Sequence, residues 1–176
     1  MNESSRESLI DKLIEIDCHK FAEIGVLDGA TTHYLLNHLI NLKEYWAVDL
    51  WRPYKSRRRR NYDYYANTPI EHWDDMYLGV CKNMIYFKSL QVLRLPSLKA
   101  ASIFMVDYFD VVLIDADHAY ESVLEDINAW LPLIKKGGYL CGDDWCPGHP
   151  GVRKAVSERF GDNIEVDKNR MWWYRV

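Results

Sequence analysis

Residues 109–117 read FDVVLIDAD, in which the continuous apolar run VVLI (111–114) leads into two carboxylates. A strand that is apolar at every position is typical of the centre of a parallel sheet, where both faces are covered. Upstream, residues 20–25 (KFAEIG) and 44–50 (EYWAVDL) predict two more buried strands, with a helix marked by Leu35 to Ile40 between them. This order forms a βαβ unit, so the two strands are predicted to be parallel and joined by a right-handed crossover.

The rest of the chain continues the alternation of strands and helices. The predicted elements are an amphipathic first helix through Leu9, Leu13, Ile14 and Ile16; a helix over 69–83; a short strand at Ile85–Phe87; a short helix near 96–102; a helix striped from Val123 to Ile134 and ended by Gly137-Gly138; a strand in GGYLCGDDW (137–145); a helix in GVRKAVSERF (151–160); and two last strands that turn at Lys168-Asn169. We therefore predict an α/β fold, a doubly wound, Rossmann-like, mostly parallel sheet of about seven strands with helices on both faces and an antiparallel last strand pair.

Length and composition narrow the class of protein. The 176 residues fit a single domain spanning 1–176, and a hydrophobic fraction of 48% supports a packed core. A net charge of -4 argues against a surface built for nucleic acid in general, and no apolar run is long enough to cross a membrane. The N-terminal stretch lacks the basic start and apolar segment of a signal peptide, so a cytoplasmic location is expected. The sequence leaves open whether the chain forms a homo-oligomer.

The four cysteines, Cys18, Cys81, Cys141 and Cys146, form no CxxC pair and are expected to be reduced thiols. Cys141 and Cys146 with His149 would supply three zinc ligands. The fourth ligand is missing and the spacing is not a standard one, so a zinc site of that composition is disfavoured.

Residues 51–68 interrupt the alternation and are predicted to form a lid or loop insertion. The segment is polar, aromatic and basic, and it contains Pro53 and the run Arg57–Arg60. Its tyrosines and arginines suit an anionic or aromatic substrate, whereas a solvated basic loop needs no ligand, and the second interpretation is slightly favoured. Four arginines are weak evidence for nucleic acid, which is disfavoured as a partner but left open.

Acidic residues stand at the ends of the long predicted strands. They are Glu23, Asp49, Asp115, Asp117, Asp143 and Asp144. In open α/β sheets, ligands bind beyond the carboxyl ends of the strands, near the point where the strand order reverses. Strand ends are commonly polar, but a carboxylate at the end of every long strand favours a functional site there.

The first strand leads into a glycine loop whose spacing separates two cofactors. Gly25 permits a tight turn, and Gly29 permits close approach of a ligand or of the next helix. A dinucleotide site has the spacing GxGxxG so that amides cradle a pyrophosphate, but this loop is GxxxG and has acidic neighbours, Glu23 and Asp28. Acidic residues suit a cofactor with an ammonium and a sulfonium, although an ordinary glycine turn is the alternative. Asp49, about 20 residues further on, suits ribose hydroxyls.

Two stretches carry a family resemblance. FAEIGVLDGATT (21–32) with VDLW (48–51), and residues 109–145 from FDVVLIDADHAY to GGYLCGDDW, resemble class I S-adenosylmethionine (SAM) dependent methyltransferases. The resemblance is to the branch of metal-dependent O-methyltransferases that act on catechols, caffeoyl thioesters, sugars and antibiotics. It spans about residues 18–160, and it implies SAM as cofactor and a hydroxylated small molecule as acceptor.

The resemblance also implies cofactor contacts at particular positions. Glu23 and Gly25 would lie under the methionine part of SAM, with Gly29 completing the loop. Asp49 would hold the ribose, Asp115 would border the cofactor, and Ser89 would contact adenine after the third strand, although FKSLQVL departs from the usual family form there.

A cation site is expected where the strands that precede Asp115 and Asp143-Asp144 end side by side. Neighbouring strands lie about 4.8 Å apart, so these side chains can converge on one ion. Three carboxylates repel one another unless a cation is present, and all-oxygen ligation favours Mg²⁺, with Mn²⁺ or Ca²⁺ as alternatives. The resembling family carries a comparable set of ligands around magnesium.

His118, three residues after Asp115, is predicted to be the general base. An unperturbed histidine pKa near 6.5 suits proton removal near neutral pH. A helix-start histidine that bonds locally is the alternative, and Asp117 would either position the substrate or cap the helix. The predicted activity is methyl transfer from SAM to a hydroxyl, assisted by the cation. A metal-independent methyltransferase, a noncatalytic SAM- or nucleotide-binding protein and, more distantly, a nicotinamide dehydrogenase are the other possibilities.

Overall fold

A computed structural model describes residues 1–57 and 62–176. The helices are α1 (Glu3–Glu15), α2 (Ala30–His38), α3 (Tyr62–Asn67), α4 (Ile70–Asn83), α5 (Ser97–Ala101), α6 (Tyr120–Trp130) and α7 (Pro150–Phe160), with a 3₁₀ turn at Leu131–Leu133. The strands are β1 (Lys20–Ile24), β2 (Glu44–Asp49), β3 (Leu90–Arg94), β4 (Phe109–Ile114), β5 (Ile134–Gly142), β6 (Glu165–Val166) and β7 (Trp172–Arg175). No helix in this part of the chain is long and apolar enough to cross a membrane.

The seven strands form one sheet in the order β3-β2-β1-β4-β5-β7-β6. The strands β3, β2, β1, β4 and β5 run parallel to one another, and β7 is antiparallel to both β5 and β6. The predicted fold class is therefore confirmed, including the antiparallel last pair. The strand order reverses between β1 and β4, and this point is where such sheets bind ligands.

Both faces of the sheet are covered, as the apolar run in β4 predicts. Val111 and Leu113 belong to the core that includes side chains of α1, α2 and α4. Val112 and Ile114 belong to the opposite core, formed with α5, α6 and α7. Alternate side chains of a strand point to opposite faces, so the stretch of β4 that is buried on both sides is apolar at every position, and the partly buried Asp110 precedes it.

The expected strand at Ile85–Phe87 is wrong. These residues form turns that close α4, with the amides of Tyr86 and Phe87 donating to the carbonyl of Asn83. Ile85 and Tyr86 are 69% and 77% exposed. The third strand is instead Leu90–Arg94, which pairs with β2. The aromatic and β-branched side chains of Ile85–Phe87 favour a strand only where there is a sheet surface to pack on.

Two other boundaries differ from the sequence prediction. The helix predicted to continue to Ile134 ends at Trp130, because Pro132 has no amide to continue it, and Gly137 and Gly138 lie inside β5. The predicted lid contains the short helix α3. The first residue of the lid, Trp51, is fully buried. Three of the four arginines of this segment, 58–60, lie outside the described residues.

Candidate active site

A cavity of about 820 Å³ opens at the carboxyl ends of the parallel strands, beside the reversal point between β1 and β4. Its volume is in the range of small-molecule and cofactor sites, about 300–1,000 Å³. Six of the sequence-predicted residues line it: Glu23, Gly25, Asp49, Asp115, His118 and Asp144. Gly29, Ser89 and Asp143 do not line it.

Gly25 has a positive φ of 94°, which an L side chain rarely adopts. A Cβ at this position would overlap the carbonyl oxygen of Asp115, in the loop that follows β4. The glycine therefore brings the loops after β1 and β4 together. Its absence of a side chain is required by the protein itself, not only by a ligand.

Gly29 and Ser89, predicted to contact the cofactor, do not line the cavity in this structure. Gly29 precedes α2 with a φ of 79°, and a Cβ there would lie 2.7 Å from Cγ2 of Val80, so its role is to let α2 approach α4. Ser89 precedes β3 instead of following it, and its carbonyl accepts a hydrogen bond from Tyr45 at the start of β2. It lies at the amino end of the strand, away from the cavity. The residues that follow β3, Leu95 to Lys99, line the cavity in its place.

Asp49 joins the second strand to the glycine loop. Its Oδ2 accepts hydrogen bonds from the amides of Val26 and Leu27, at 2.8 and 2.9 Å, and its Oδ1 accepts one from Trp51 at 2.9 Å. A carboxylate offers about four lone-pair sites, so room for about one further donor remains. Asp49 thus shapes the loop and still faces the cavity as an acceptor.

Glu23 is 1% exposed and is held by two hydroxyl groups. Its Oε2 accepts hydrogen bonds from Thr32 and from Tyr45, the latter at 2.6 Å. Burial raises the pKa of Glu23 to about 8, although both hydrogen bonds act in the opposite direction. In the unliganded protein, Glu23 therefore carries a proton at neutral pH.

The three carboxylates predicted to hold a hard cation lie against two different protein groups, the amino group of Met1 and the imidazole of His118. Asp143 is buried, and its Oδ1 accepts a hydrogen bond from the hydroxyl of Ser5 at 3.2 Å. The amino group of Met1 lies 3.2 Å from Oδ2 of Asp115 and 3.9 Å from Oδ2 of Asp143. Burial alone would lower the pKa of this amino group, but the nearby carboxylates outweigh burial and raise it. A protein cation thus accompanies Asp115 and Asp143 in this structure, and magnesium held by the three carboxylates stays a prediction.

Asp144 turns instead toward two histidines. Its Oδ2 lies 2.9 Å from Nε2 of His118 and 3.1 Å from Nδ1 of His149. Within residues 1–57 and 62–176, these three side chains are the one group of metal-binding type whose ligand atoms all lie within 4.8 Å of one another. Burial acts to raise the pKa of Asp144, but the two histidines lower it below its usual value. We call His118, Asp144 and His149 the His-Asp-His cluster.

The environment of His118 differs from the expectation of an unperturbed histidine. Its Nε2 also lies 3.4 Å from Oδ1 of Asp115. Burial would lower the pKa of His118, but its hydrogen bonds with Asp115 and Asp144 outweigh burial and raise the pKa to about 9. His118 is consequently protonated at neutral pH in the unliganded, metal-free protein, and it can accept a proton only after losing this one.

Asp117 connects the predicted lid to the body of the domain. Its carboxylate accepts hydrogen bonds from the hydroxyl of Ser56 at 2.8 Å and from the amide of Arg57 at 3.1 Å. The hydroxyl of Ser122 in α6 donates to it as well. The amide of Ala119, the N-cap residue of α6, donates to Asp117 at 3.4 Å, so Asp117 both anchors residues 56–57 and bonds the start of α6.

Three residues in or next to the cavity wall were missed from the sequence: Ser97 and Asp126 line the cavity, and His149 contacts Asp144, which lines it. Ser97 begins α5, and its hydroxyl donates to Asp126 of α6 while accepting from Trp130. Burial raises the pKa of Asp126 to about 7. His149 was considered only with the cysteines, of which Cys141 is fully buried within β5. A histidine directly before the Pro150 that starts a helix was the available signal for a residue at a helix N-terminus beside the strand ends.

A family model described as "Methyltransferase domain" matches residues 22–145 of this chain. Those residues contain the glycine loop, Asp49 and the loop after β4, and they end at the residue after Asp144. A shorter segment resembles an uncharacterized protein of Acanthamoeba polyphaga mimivirus, which is 38% identical over 55 residues. That match covers 28% of this chain and 25% of the viral protein.

Solved structures of methyltransferases share the fold. The O-methyltransferase NovP superposes with a TM-score of 0.70 and 17% identity, covering 98% of this chain and 78% of NovP. An SAH-bound methyltransferase from Podospora anserina gives a TM-score of 0.68 at 11% identity, covering 99% and 79% of the two chains. An O-methyltransferase from Bacillus cereus in complex with SAH gives a TM-score of 0.60 at 17% identity, covering 100% of this chain and 82% of the other.

Proposed function

The chain belongs to the methyltransferase domain family, and from that premise we propose that it moves the methyl group of SAM to a hydroxyl oxygen of a small molecule. The observation that carries the proposal is that a single cavity joins two chemically different ends. The Gly25 loop and Asp49 line one end, and His118 and Asp144 line the other. A cofactor held at the first end would present its methyl group to an acceptor held at the second.

The cofactor end suits SAM in its charge and in its shape. We place the ribose against Asp49, whose carboxylate has room for about one more hydrogen bond. The methionine part would lie toward Glu23 and Thr31, and the adenine toward the loop at Ser97, all of which line the cavity. The acidic neighbours favour a cofactor that carries a sulfonium over one that carries a pyrophosphate.

One aromatic part of the cavity wall suits a ring. Tyr54, Tyr65 and Trp73 line the cavity, and the rings of Tyr54 and Tyr65 stack with centroids 5.1 Å apart. Aromatic walls of this kind pack against the faces of phenolic rings or sugars. We therefore propose a phenolic or sugar-like hydroxylated acceptor.

We assign proton removal in the metal-free enzyme to His118. The hydroxyl proton of the acceptor passes to Nε2 of a neutral His118, the oxygen forms a bond to the methyl carbon, and the carbon–sulfur bond breaks to leave S-adenosylhomocysteine. The charges of Asp115 and Asp144 beside the ring would stabilise the imidazolium that results. Most of the rate gain is expected from holding oxygen and methyl carbon at near-attack distance.

The test is an incubation of the purified protein with methyl-labelled SAM and separate pools of phenols, catechols and sugars. We expect S-adenosylhomocysteine and a labelled methyl ether with one of these pools, above the background without acceptor. SAM binding without label transfer to any pool would contradict the proposal and leave a noncatalytic SAM-binding protein. Binding of NAD in place of SAM would instead favour a dehydrogenase.

A further inference from the structure

We propose that the His-Asp-His cluster is a binding site for one divalent transition-metal ion, of the class of Zn²⁺ or Co²⁺. The sequence favoured magnesium held by carboxylates alone, and the three residues of the cluster replace that set with two imidazoles and one carboxylate. Metal binding at this cluster does not depend on the proposed methyl transfer, because all three ligands are side chains of the protein and neither SAM nor the acceptor supplies one.

The positions of the ligand atoms already approximate those of a metal site. Oδ2 of Asp144 is 2.9 Å from one imidazole nitrogen and 3.1 Å from the other. A tetrahedral ion with bonds of about 2.0–2.1 Å separates its ligand atoms by roughly 3.3 Å. The two imidazole rings meet edge to face, with centroids 4.7 Å apart and planes at 86°, and one ligand atom from each of the three residues lies within 4.8 Å of the other two.

The backbone holds the three residues on neighbouring loops. Asp144 follows β5 with a φ of 65°, and the turn after it is closed by hydrogen bonds from the amides of Cys146 and His149 to the carbonyls of Asp144 and Cys146. Gly151, in the first turn of α7, lets this loop approach His118. A Cβ at Gly151 would lie 2.5 Å from the carbonyl oxygen of His118. This close packing brings His149 against His118.

The ligand types select the class of ion. Imidazole nitrogens suit zinc, cobalt, nickel, copper and iron, whereas magnesium prefers oxygen ligands and retains its waters. His118 and Asp144 line the cavity, and the three side chains are each about one fifth exposed. An ion bound by three protein ligands would therefore keep at least one position open toward the cavity, as catalytic sites do. With the ion bound, His118 is a ligand and cannot also be the base.

The test is titration of the full chain with CoCl₂, ZnCl₂ and MgCl₂ separately, without SAM or acceptor, by calorimetry and, for cobalt, by visible absorption. We expect one Co²⁺ or Zn²⁺ per chain and a cobalt spectrum typical of nitrogen ligation. His149→Ala and Asp144→Asn should each weaken Co²⁺ binding at least about tenfold. Asparagine is chosen because it tolerates the positive φ of position 144, and melting temperatures would verify that both variants fold.

Two matched controls separate this site from nonspecific binding. His19→Ala removes a histidine that lies 3.9 Å from Asp17 and belongs to no group of three such ligands among the described residues. Cys146→Ser removes the thiol in the same loop as Asp144 and His149. Both variants should bind Co²⁺ like the wild type. The proposal is overturned if the wild type shows no saturable binding of either ion, if His149→Ala and Asp144→Asn bind like the wild type, or if Mg²⁺ binds as tightly as Zn²⁺. None of these results bears on methyl transfer, which the labelled-SAM experiment tests separately.

Discussion

The two ends of the cavity are built from different parts of the protein. At the cofactor end, the backbone sets the geometry: Gly25 turns the chain, and amides of the loop donate to Asp49. At the acceptor end, charged side chains from two separate loops meet, and their mutual distances set the chemistry. At the cofactor end, adding a single Cβ at Gly25 is therefore expected to disrupt the local structure. At the acceptor end, a side-chain substitution should lower the rate of methyl transfer while the fold persists.

The largest effect is expected from Gly25→Val. The new side chain would overlap the backbone of Asp115 and force a strained positive φ, so the variant should lose SAM binding together with at least about 3 kcal/mol of stability. Thermal melting and calorimetry with SAM would measure both. Gly79→Ala is the control, because a Cβ there meets nothing within 4 Å and an alanine should strengthen α4 slightly. A stable Gly25→Val protein with normal SAM affinity would break the distinction between the two ends.

His118→Ala should affect chemistry without affecting the fold. Turnover, measured with a chelator present, should fall about 10²–10⁴-fold, the usual range for loss of a general base, and SAM affinity should change little. Because its hydrogen bonds raise the pKa of His118 to about 9, the wild-type rate should rise with pH up to that value, and the variant should lack this rise. His118→Lys should retain some activity, shifted to higher pH. A fully active His118→Ala enzyme with an unaltered pH profile would exclude His118 as the base.

Glu23→Gln tests the buried carboxyl at the cofactor end through its pH dependence. The pKa of Glu23 is raised from 4.5 to about 8 on folding, so the folded state keeps a proton that the unfolded state releases. The stability contributed by this group is complete below about pH 4 and is lost as pH rises to 8. Glutamine does not titrate. Between pH 5 and pH 8, the free energy of unfolding of the variant should therefore rise relative to that of the wild type by on the order of a few kcal/mol. Urea unfolding at both pH values measures this difference.

An exposed control, Glu7→Gln, shows the effect of removing one carboxyl from the surface. If the difference in unfolding free energy between Glu23→Gln and the wild type stays constant from pH 5 to pH 8, Glu23 is ionised throughout this range.

Asp49→Ala should have the smallest effect on the cofactor end. Loss of the ribose contact should cost about 1.5–3 kcal/mol of SAM affinity, and the amides of Val26, Leu27 and Trp51 would lose their acceptor. Asp49→Asn, which keeps one carbonyl oxygen, should fall between the wild type and Asp49→Ala. Calorimetry gives the affinity and thermal melting gives the loss of loop structure. Wild-type SAM affinity in Asp49→Ala would remove Asp49 from the cofactor site.

The contrast between the two ends also explains what the sequence predicts well. The glycine loop, β2 and Asp49 belong to one βαβ unit, so their spacing along the chain is sufficient to place them in space. The antiparallel pairing of β6 with β7 follows in the same way from the tight turn that separates two short strands. Leu90–Arg94 was missed in favour of Ile85–Phe87 because both segments are short, and only the pairing with β2 separates them.

The acceptor end is harder to predict because it depends on the directions in which side chains point, and the sequence does not determine these directly. Asp143 and Asp144 are neighbours, but one turns to Ser5 of α1 and the other to the two histidines. The hydrogen bond of Asp143 joins residues 138 positions apart. Likewise, His149 reaches His118 only because α7 packs closely on the loop before α6 at Gly151.

The most direct test of the account is a crystal structure of the protein with bound S-adenosylhomocysteine. We expect the ribose at Asp49, the homocysteine part along Gly25 and Thr31, and the sulfur facing His118 and Asp144 across the open half of the cavity. A ligand bound outside this cavity, or one whose sulfur faces away from His118, would contradict the division into a cofactor end and an acceptor end.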